Sequence, residues 1–167
     1  MTPAQNLSIA EMVPAAGASP AAASTDMITV ETRLGPVAVH PNAVIEMPQG
    51  PLGFARYTRF ALADLPNPDL ARFKLLQSMD EPSVTFVVAP VDAEGGPIER
   101  GDLDDACLGA GLASGNLLVL LIVTVRNDPT GVSLTANLRA PVIVDVRKRI
   151  GRQVVLINNN YAVRHPL

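Results

Sequence analysis

The sequence predicts a mainly β fold: an antiparallel, β-barrel-like single domain with one or two short helices. Short apolar runs recur at roughly ten-residue spacing, and residues typical of turns separate them. Residues 133–140, SLTANLRA, alternate between apolar and polar side chains, as in a strand with one buried face. Only residues 98–112 have the composition of a helix. Strands that follow one another in this way favour an antiparallel barrel or sandwich over alternating βαβ units.

The first half of the chain is predicted to form short strands joined by turns. Residues 30–39 form a strand pair that turns at Gly35-Pro36. Residues 48–54, PQGPLGF, are expected to form a loop of fixed geometry, because Pro restricts φ and Gly permits positive φ. The other predicted strands cover 43–47, 57–63, 73–79 and 83–90, and the last two form a hairpin around Asp80-Glu81-Pro82.

The helix predicted over 98–112 has the sequence IERGDLDDACLGAGL. Asp102 is expected to cap its N-terminus, and Asp104 and Asp105 then lie in the first turn, where the helix dipole favours acidic side chains. Gly109 is expected to end it. The helix is therefore predicted to have two turns at most.

After the helix, the chain is predicted to return to strands. Residues 116–125 form the most apolar one, and 133–140 pairs back on it. Pro141 interrupts an otherwise regular stretch; since proline cannot donate to a ladder, it is expected at a corner that lets one stretch serve two parts of a curved sheet. The remaining segments are predicted as turns at 126–131 and 147–151 and a last strand at 152–159.

Residues 1–26 are predicted to form a flexible Ala/Pro-rich tail, and residues 27–167 the domain. The tail has no Lys or Arg and no sustained hydrophobic period, so ordering it would bury too little. It also lacks the features of a secretory signal. The longest apolar run, at 117–123, is far shorter than the ~20 residues of a membrane helix. A single cysteine, Cys107, excludes an internal disulfide and fits the reducing cytoplasm.

No motif for catalysis, metal binding or cofactor binding stands out, so we expect no cofactor. His40 and His165 lie far apart beside prolines, and no GxSxG motif is present. The glycine-rich stretch 108–115 precedes a strand instead of opening a helix, which is the reverse of a phosphate-binding loop. A small β-barrel enzyme with an unrecognised site remains an open alternative.

A nucleic-acid-binding barrel is a second alternative, because residues 147–152, RKRIGR, are basic. Against it, aromatic residues make up only 4% of the chain and the net charge is −3. Proteins that bind single strands without sequence preference use aromatic side chains as stacking platforms. A basic hairpin turn explains the same pattern, and direct nucleic-acid binding is not expected.

Charge is distributed unevenly along the chain. Residues 80–105 contain eight acidic residues and one basic residue, Arg100, whereas 137–167 contain six basic residues and one acidic residue, Asp145. Ordinary solvated turns can produce such runs. They can also create two surfaces whose fields attract different partners.

Three blocks of sequence, taken in order, resemble the FliW family of flagellar assembly factors. The first is PQGPLGF at 48–54, and the second is FKLLQSMDEPSVTFVVAP at 73–90. The third covers 123–167 and includes NLRAPVIV, RIGRQVVL and a late tyrosine, Tyr161. The resemblance spans about 27–167. The chain departs from the family in its longer tail and in a stretch, 91–101, without the aromatic residue that many members carry.

The resemblance implies a cytoplasmic, non-enzymatic protein with a barrel-like fold, no cofactor and no membrane association. Members of the family bind newly made flagellin before export. They also bind the carbon storage regulator, a small RNA-binding translational repressor, and relieve its repression of flagellin synthesis. Flagellin synthesis is thereby coupled to export.

Candidate partner-binding residues follow from strand alternation, charge and the family blocks. Asn137 and Arg139 are expected to face outward, as is Gln77 if Leu76 points inward. The acid-rich stretch 92–105 is expected to attract the basic repressor. The opposite assignment, in which the C-terminal half contacts the repressor and the acids take no part, stays open. The full set is Leu76, Gln77, Ser78, Asp102, Asp104, Asp105, Asn137, Arg139, Pro141, Gln153 and Tyr161.

Overall fold

The structure, a computed structural model, describes residues 26–167. The tail predicted over 1–26 therefore lies outside the described residues except for Asp26. One α-helix, α1, covers Arg100–Ala110, and two three-residue 3-10 turns cover Pro41–Ala43 and Pro68–Leu70. The strands are β1 (Ile28–Thr32), β2 (Gly35–Val39), β3 (Val44–Glu46), β4 (Arg59–Asp64), β5 (Lys74–Ser78), β6 (Thr85–Val91), β7 (Leu117–Asp128), β8 (Gly131–Ala136), β9 (Val142–Asp145), β10 (Ile150–Gln153) and β11 (His165–Pro166).

Seven of these strands close into a ring, which confirms the mainly β, barrel-like prediction. Strands β3 to β7 pair in chain order as an antiparallel meander, β7 pairs with β9, and β9 pairs with β10. The ring closes where β10 meets β3 in parallel at Ile150 and Glu46. Strands β8 and β11 extend the sheet from the far half of β7, and β1 and β2 form a separate hairpin. Closure leaves the ring strands few unpaired edges.

The long strand β7 has different partners along its two halves. Its first half, from Leu117 to Leu120, pairs with β9, and its second half, from Val123 to Asp128, pairs with β8. Residues 137–141 separate these two pairings and lie outside the strands. Pro141 therefore lies at the predicted corner, where one stretch of chain serves two parts of the sheet.

The apolar run at 117–123 is buried because β7 is covered on both faces. Leu118 and Leu120 belong to a cluster with β3, β4 and β5 inside the barrel. Val119 and Leu121 belong to a second cluster outside the barrel, with side chains of α1 and with Leu156. A third cluster lies where the β1–β2 hairpin covers the outer face of β4 and β5. The barrel thus has an inner core and two covered outer faces.

The predicted helix exists, but its ends were placed wrongly. Glu99, and not Asp102, is the N-cap residue, and Asp102 lies in the first turn. The helix ends at Gly111, whose φ of 69° is the left-handed conformation that terminates many helices. Because it runs for 11 residues, it has three turns and not two.

Two predicted boundaries in the second half were also wrong. Residues 126–128 continue β7, and the turn there is confined to Pro129 and Thr130. The strand predicted over 152–159 has regular ladder pairing only as far as Gln153, where β10 ends. It ends because its neighbour on the β9 side becomes the 137–141 bend, which cannot offer a regular series of backbone partners.

Candidate protein-binding groove

A groove of about 360 Å³ runs between α1 and the segment 152–157. Its helical wall consists of Asp102, Asp105, Ala106, Gly109 and Ala110, and Gln49 also borders it. Small side chains dominate this wall, so a ligand can approach the helix closely. The volume is at the lower end of the range for ligand pockets, and it suits a few side chains of a larger partner.

A second depression, of about 170 Å³, continues the groove at the loop 49–55. The two share Gln49, Arg152 and Gln153. Gly50 fixes this loop: its φ is 61°, and a Cβ there would lie 2.4 Å from the carbonyl oxygen of Phe54. Leu52 projects from the loop with 54% of its surface exposed.

The segment 154–157 is held on one side only, by the bend at 137–141. The N–H of Val154 donates to the carbonyl of Pro141 at 3.0 Å, and the N–H of Leu156 donates to the carbonyl of Arg139 at 2.9 Å. The side chains alternate accordingly: Leu156 is buried in the outer cluster, whereas Val155 and Ile157 are 52% and 90% exposed. The segment therefore behaves as a strand with one partnered edge.

Side chains replace the ladder bonds that the bend cannot supply. The side-chain Oδ1 of Asn137 accepts from the N–H groups of Arg139 and Ala140 at 3.0 and 3.1 Å. With its own N–H engaged there, Arg139 uses its side-chain Nε to donate to the carbonyl of Leu156 at 2.8 Å. Pro141 has no N–H to offer. Alternation predicted that Asn137 and Arg139 project outward from a strand. In the structure they are half-buried, lie outside the strands and position the groove segment.

Gln153 joins the groove segment to its two neighbours. Its Nε2 donates to the carbonyl of Ala140 at 3.0 Å, and its Oε1 accepts from the N–H of Leu52 at 2.8 Å. The glutamine therefore fixes the loop 49–55 against the bend. It is a candidate residue that lies in the groove and also holds the groove together.

Asp102 ties the helix to the C-terminal segment. Its Oδ2 accepts a hydrogen bond from the Tyr161 hydroxyl at 2.5 Å and another from Asn158 Nδ2 at 3.1 Å. These bonds, the tyrosine's first, lower the pKa of the Asp102 carboxyl. The Tyr161 oxygen also accepts from the N–H of Glu99 at 3.0 Å, which satisfies a donor at the start of the helix. Burial and the Asp102 carboxylate raise the pKa of Tyr161.

The three helical acids predicted as one surface are separated by the helix geometry. Asp102 and Asp105 line the groove. Asp104 lies outside it and accepts from Arg100 Nε at 2.9 Å, and Arg100 also pairs with Glu94. Within the described part of the chain, the Asp105 carboxylate accepts no hydrogen bond and has no ion-pair partner, so it is the acid best placed to meet a partner in the groove.

Leu76, Gln77 and Ser78 lie on β5, away from the groove. Leu76 points inward and Gln77 lies on the outer face of β5, as expected, but that face is covered. Gln77 is only 1% exposed, so the prediction that it is available to a partner was wrong. Its amide donates to the carbonyls of Ser78 and Pro82, and the Thr85 hydroxyl donates to it. Ser78 Oγ accepts from the N–H groups of Asp80 and Glu81 and shapes the turn before β6.

Cys107 and His40 have structural roles. Cys107 is buried, and burial raises the pKa of its thiol. His40 Nδ1 accepts from the N–H of Asn42 and caps a 3-10 turn. In residues 26–167, no group of three or more His, Cys, Asp or Glu side chains is arranged to hold a metal ion. No helix in this range is long and apolar enough to cross a membrane.

Sequence reasoning missed most of the groove. It did not propose a partner-binding role for Ala106, Gly109, Arg152, Val155 or Ile157, all of which line the groove. A signal was present in RQVVLINN, where four successive apolar residues occupy both faces of an extended segment. Among residues 26–167, nothing covers one of those faces, so Val155 and Ile157 remain exposed.

The comparisons with known proteins agree with this architecture. Residues 28–167 match the family model described as FliW protein. The flagellar assembly factor FliW of Bdellovibrio bacteriovorus is 35% identical over 145 residues, covering 84% of this chain and 79% of the relative. The Geobacillus thermodenitrificans factor is 35% identical over 138 residues, covering 80% of this chain and 90% of the relative.

A solved structure supports the same assignment at the level of the fold. The crystal structure of the flagellar assembly factor FliW superimposes with a TM-score of 0.62 at 28% identity, covering 83% of this chain and 96% of that one. The residues matched by the family model include the whole barrel and the groove segment. This chain therefore belongs to the FliW family.

Proposed function

We propose that this protein is a cytoplasmic flagellar assembly factor that binds flagellin and antagonises the carbon storage regulator. It acts by binding alone and transforms no substrate. Flagellin that accumulates before export occupies the protein, and export of flagellin releases it to bind the repressor. Repression of flagellin synthesis is then relieved when flagellin is in demand.

The groove beside α1 is the observation that carries this proposal. Its helical wall is made of small side chains, and its other wall exposes the apolar side chains of Val155 and Ile157. Exposed apolar surface bordered by polar groups is typical of sites where proteins bind other proteins. The groove is contiguous with exposed Leu52, so the apolar contact surface extends beyond the cavity itself.

Charge supports the repressor arm of the proposal. An RNA-binding protein presents basic surface, and residues 80–105 concentrate acidic side chains. Several of these carboxylates accept hydrogen bonds from nearby backbone groups, as Asp80 does from Thr58 and Arg59. Eight acidic residues against one arginine give the segment a negative field. That field speeds association more than it raises affinity.

Co-purification from the native host tests the proposal. The protein is expected to recover both flagellin and the repressor, and added flagellin is expected to displace the repressor. Failure to recover either partner contradicts the proposal.

A matched pair of variants tests the groove. Ile157→Lys, in the groove, is expected to reduce flagellin recovery, because a charge replaces exposed apolar contact surface. Leu108→Lys is the control, since Leu108 is 83% exposed on α1 but does not line the groove. Equal recovery by both variants places flagellin binding elsewhere.

A further inference from the structure

The groove segment has an open backbone edge. In an extended strand, the N–H and C=O of one residue point to the same side, and successive residues alternate sides. Because Val154 and Leu156 point their N–H groups at the 137–141 bend, Val155 and Ile157 point theirs the other way. Within residues 26–167, no hydrogen bond involves the N–H of Val155 or Ile157.

Open strand edges in proteins are usually covered or blunted by charge or proline. In the part of the chain that the structure describes, this edge has no neighbouring strand, and the sequence has no proline between Gln153 and Ile157. It is nevertheless rigid, because the bend, the Arg139 side chain and the Gln153 side chain hold its other side. A rigid unpaired edge is a template on which an extended peptide adds as a further strand.

The surroundings of the edge specify the chemistry of that peptide. Ala106, Gly109 and Ala110 leave room above the helix for an apolar side chain. Asp105 lies on the helical wall and Arg152 at the start of the segment, and neither has an ion-pair partner in the described part of the chain. A peptide that carries one basic and one acidic side chain can complement both.

We propose that a segment of the polypeptide partner binds in extended form along residues 153–157, as a strand added to this edge. Its backbone bonds to Val155 and Ile157, an apolar side chain packs against Ala106 and Gly109, and a basic side chain reaches Asp105. This inference rests on the proposed function, because it describes how flagellin binds the groove. It goes further, because it assigns part of the affinity for flagellin to backbone hydrogen bonds at Val155 and Ile157.

Amide hydrogen exchange on the full-length protein, with and without flagellin, tests the inference directly. Flagellin is expected to slow exchange at Val155 and Ile157 by tenfold or more, as expected for newly formed backbone bonds. Val154 and Leu156, which are already bonded, are expected to change less. Flagellin binding without protection of Val155 and Ile157 overturns the inference while leaving the proposed function intact.

A substitution at the edge tests the same bonds by affinity. Val155→Pro removes an N–H that makes no hydrogen bond within residues 26–167, and it is expected to weaken flagellin binding about tenfold, because a buried acceptor on the partner loses its donor. Val155→Thr keeps the N–H and a β-branched side chain, so it is expected to bind nearly as the original protein does. Equal binding by the proline and threonine variants overturns the inference.

Two further outcomes would overturn the inference: another occupant of the edge, or no flagellin binding at all. If Val155 and Ile157 exchange slowly in the free protein, the edge is already filled by a second copy or by residues 1–25, and the inference is overturned. Sedimentation of the free protein distinguishes these two occupants. If flagellin does not bind the unmodified protein at all, the proposed function fails together with the inference.

Discussion

Two regions of this molecule carry residues that the sequence nominated for partner binding, and they differ in what covers them. On β5, Leu76 faces the interior of the barrel, while Leu75 and Met79, which share a strand face with Gln77, pack into the cluster beneath the β1–β2 hairpin. In the groove, Leu156 faces the outer core, but no element of residues 26–167 covers Val155 and Ile157 on the opposite face. One strand is buried on both faces, and the other on one face only.

This difference teaches that alternation identifies two faces of a strand but not whether a second layer covers the outer one. Gln77 is polar and still fully enclosed, because each of its amide atoms has a partner within the fold. Ile157 is apolar and still almost fully exposed. We therefore expect changes on β5 to affect stability and changes in the groove to affect binding.

The largest expected effect is the loss of stability on shortening Leu76 in the barrel core. Leu76→Ala is expected to lower the free energy of unfolding by about 2–5 kcal/mol, because it leaves a cavity in a fully buried cluster. Urea denaturation measures this loss. The affinity of the folded fraction for flagellin is expected to stay the same, and a specific loss of affinity would make β5 a contact surface.

Gln77→Ala sharpens the comparison at a residue that was expected to touch a partner. The alanine leaves the Thr85 hydroxyl and the Pro82 carbonyl without their bonds, so stability is expected to fall by about 1–3 kcal/mol. Calorimetry measures the change in Tm, and titration with flagellin measures affinity. Weaker binding at unchanged Tm contradicts the structural role assigned here.

A change at Arg139 is expected to affect stability within the groove, because its side chain holds the groove segment in place. Arg139→Lys is expected to lower the free energy of unfolding by about 1–2 kcal/mol. Lysine cannot reproduce the guanidinium hydrogen bonds to the carbonyl of Leu156 and to Asn159. Faster amide exchange at Leu156 is the measurement. Arg164→Lys is the control, because Arg164 is exposed and makes no side-chain bond in residues 26–167. Equal exchange in both variants contradicts the role of Arg139.

A smaller effect is expected on the rate of repressor association. Asp105→Lys is expected to slow association about threefold to tenfold at low salt, and less as salt screens the charge. Asp104→Lys, one position away and outside the groove, is expected to do less, because Arg100 already balances Asp104. Stopped-flow mixing measures both rates. Equal slowing of association by both variants would mean that the overall negative field attracts the repressor, and that Asp105 makes no contact with it in the groove.

The smallest expected effect is a shift in the titration of Asp102. The hydrogen bonds that lower its folded-state pKa stabilise the fold above its ordinary value of 3.8, and this contribution is lost as the pH falls through the lowered pKa. Tyr161→Phe removes the first of these bonds, so the Asp102 pKa is expected to rise toward 3.8.

Carboxyl NMR titration checks this shift, with Asp128 as the internal control. Asp128 has its pKa lowered by Thr130 and lies away from the groove, so its titration is expected to stay the same in Tyr161→Phe. An unchanged Asp102 pKa would show that Tyr161 does not hold the carboxylate in solution.

Much of the fold could be predicted because it depends on local patterns. Apolar runs and turn residues placed most strands to within a few positions, and Pro141 marked the corner of the sheet. The errors occurred where distant residues decide the outcome: Asp102 resembles a cap in the sequence, but its bonds go to Asn158 and Tyr161 instead. The strand predicted over 152–159 ends early because the bend opposite it offers few backbone donors.

The sequence by itself determined that this chain forms short strands around an apolar core, since alternation and turn propensity depend on neighbours along the chain. It also identified residues that meet at the groove: Asp102, Asp105, Gln153 and Tyr161. Only the tertiary structure decided which faces stay open, because burial depends on layers supplied by remote segments. The β1–β2 hairpin closes one outer face, whereas no element among the described residues lies over the edge at Val155 and Ile157, so their N–H groups have no partner there.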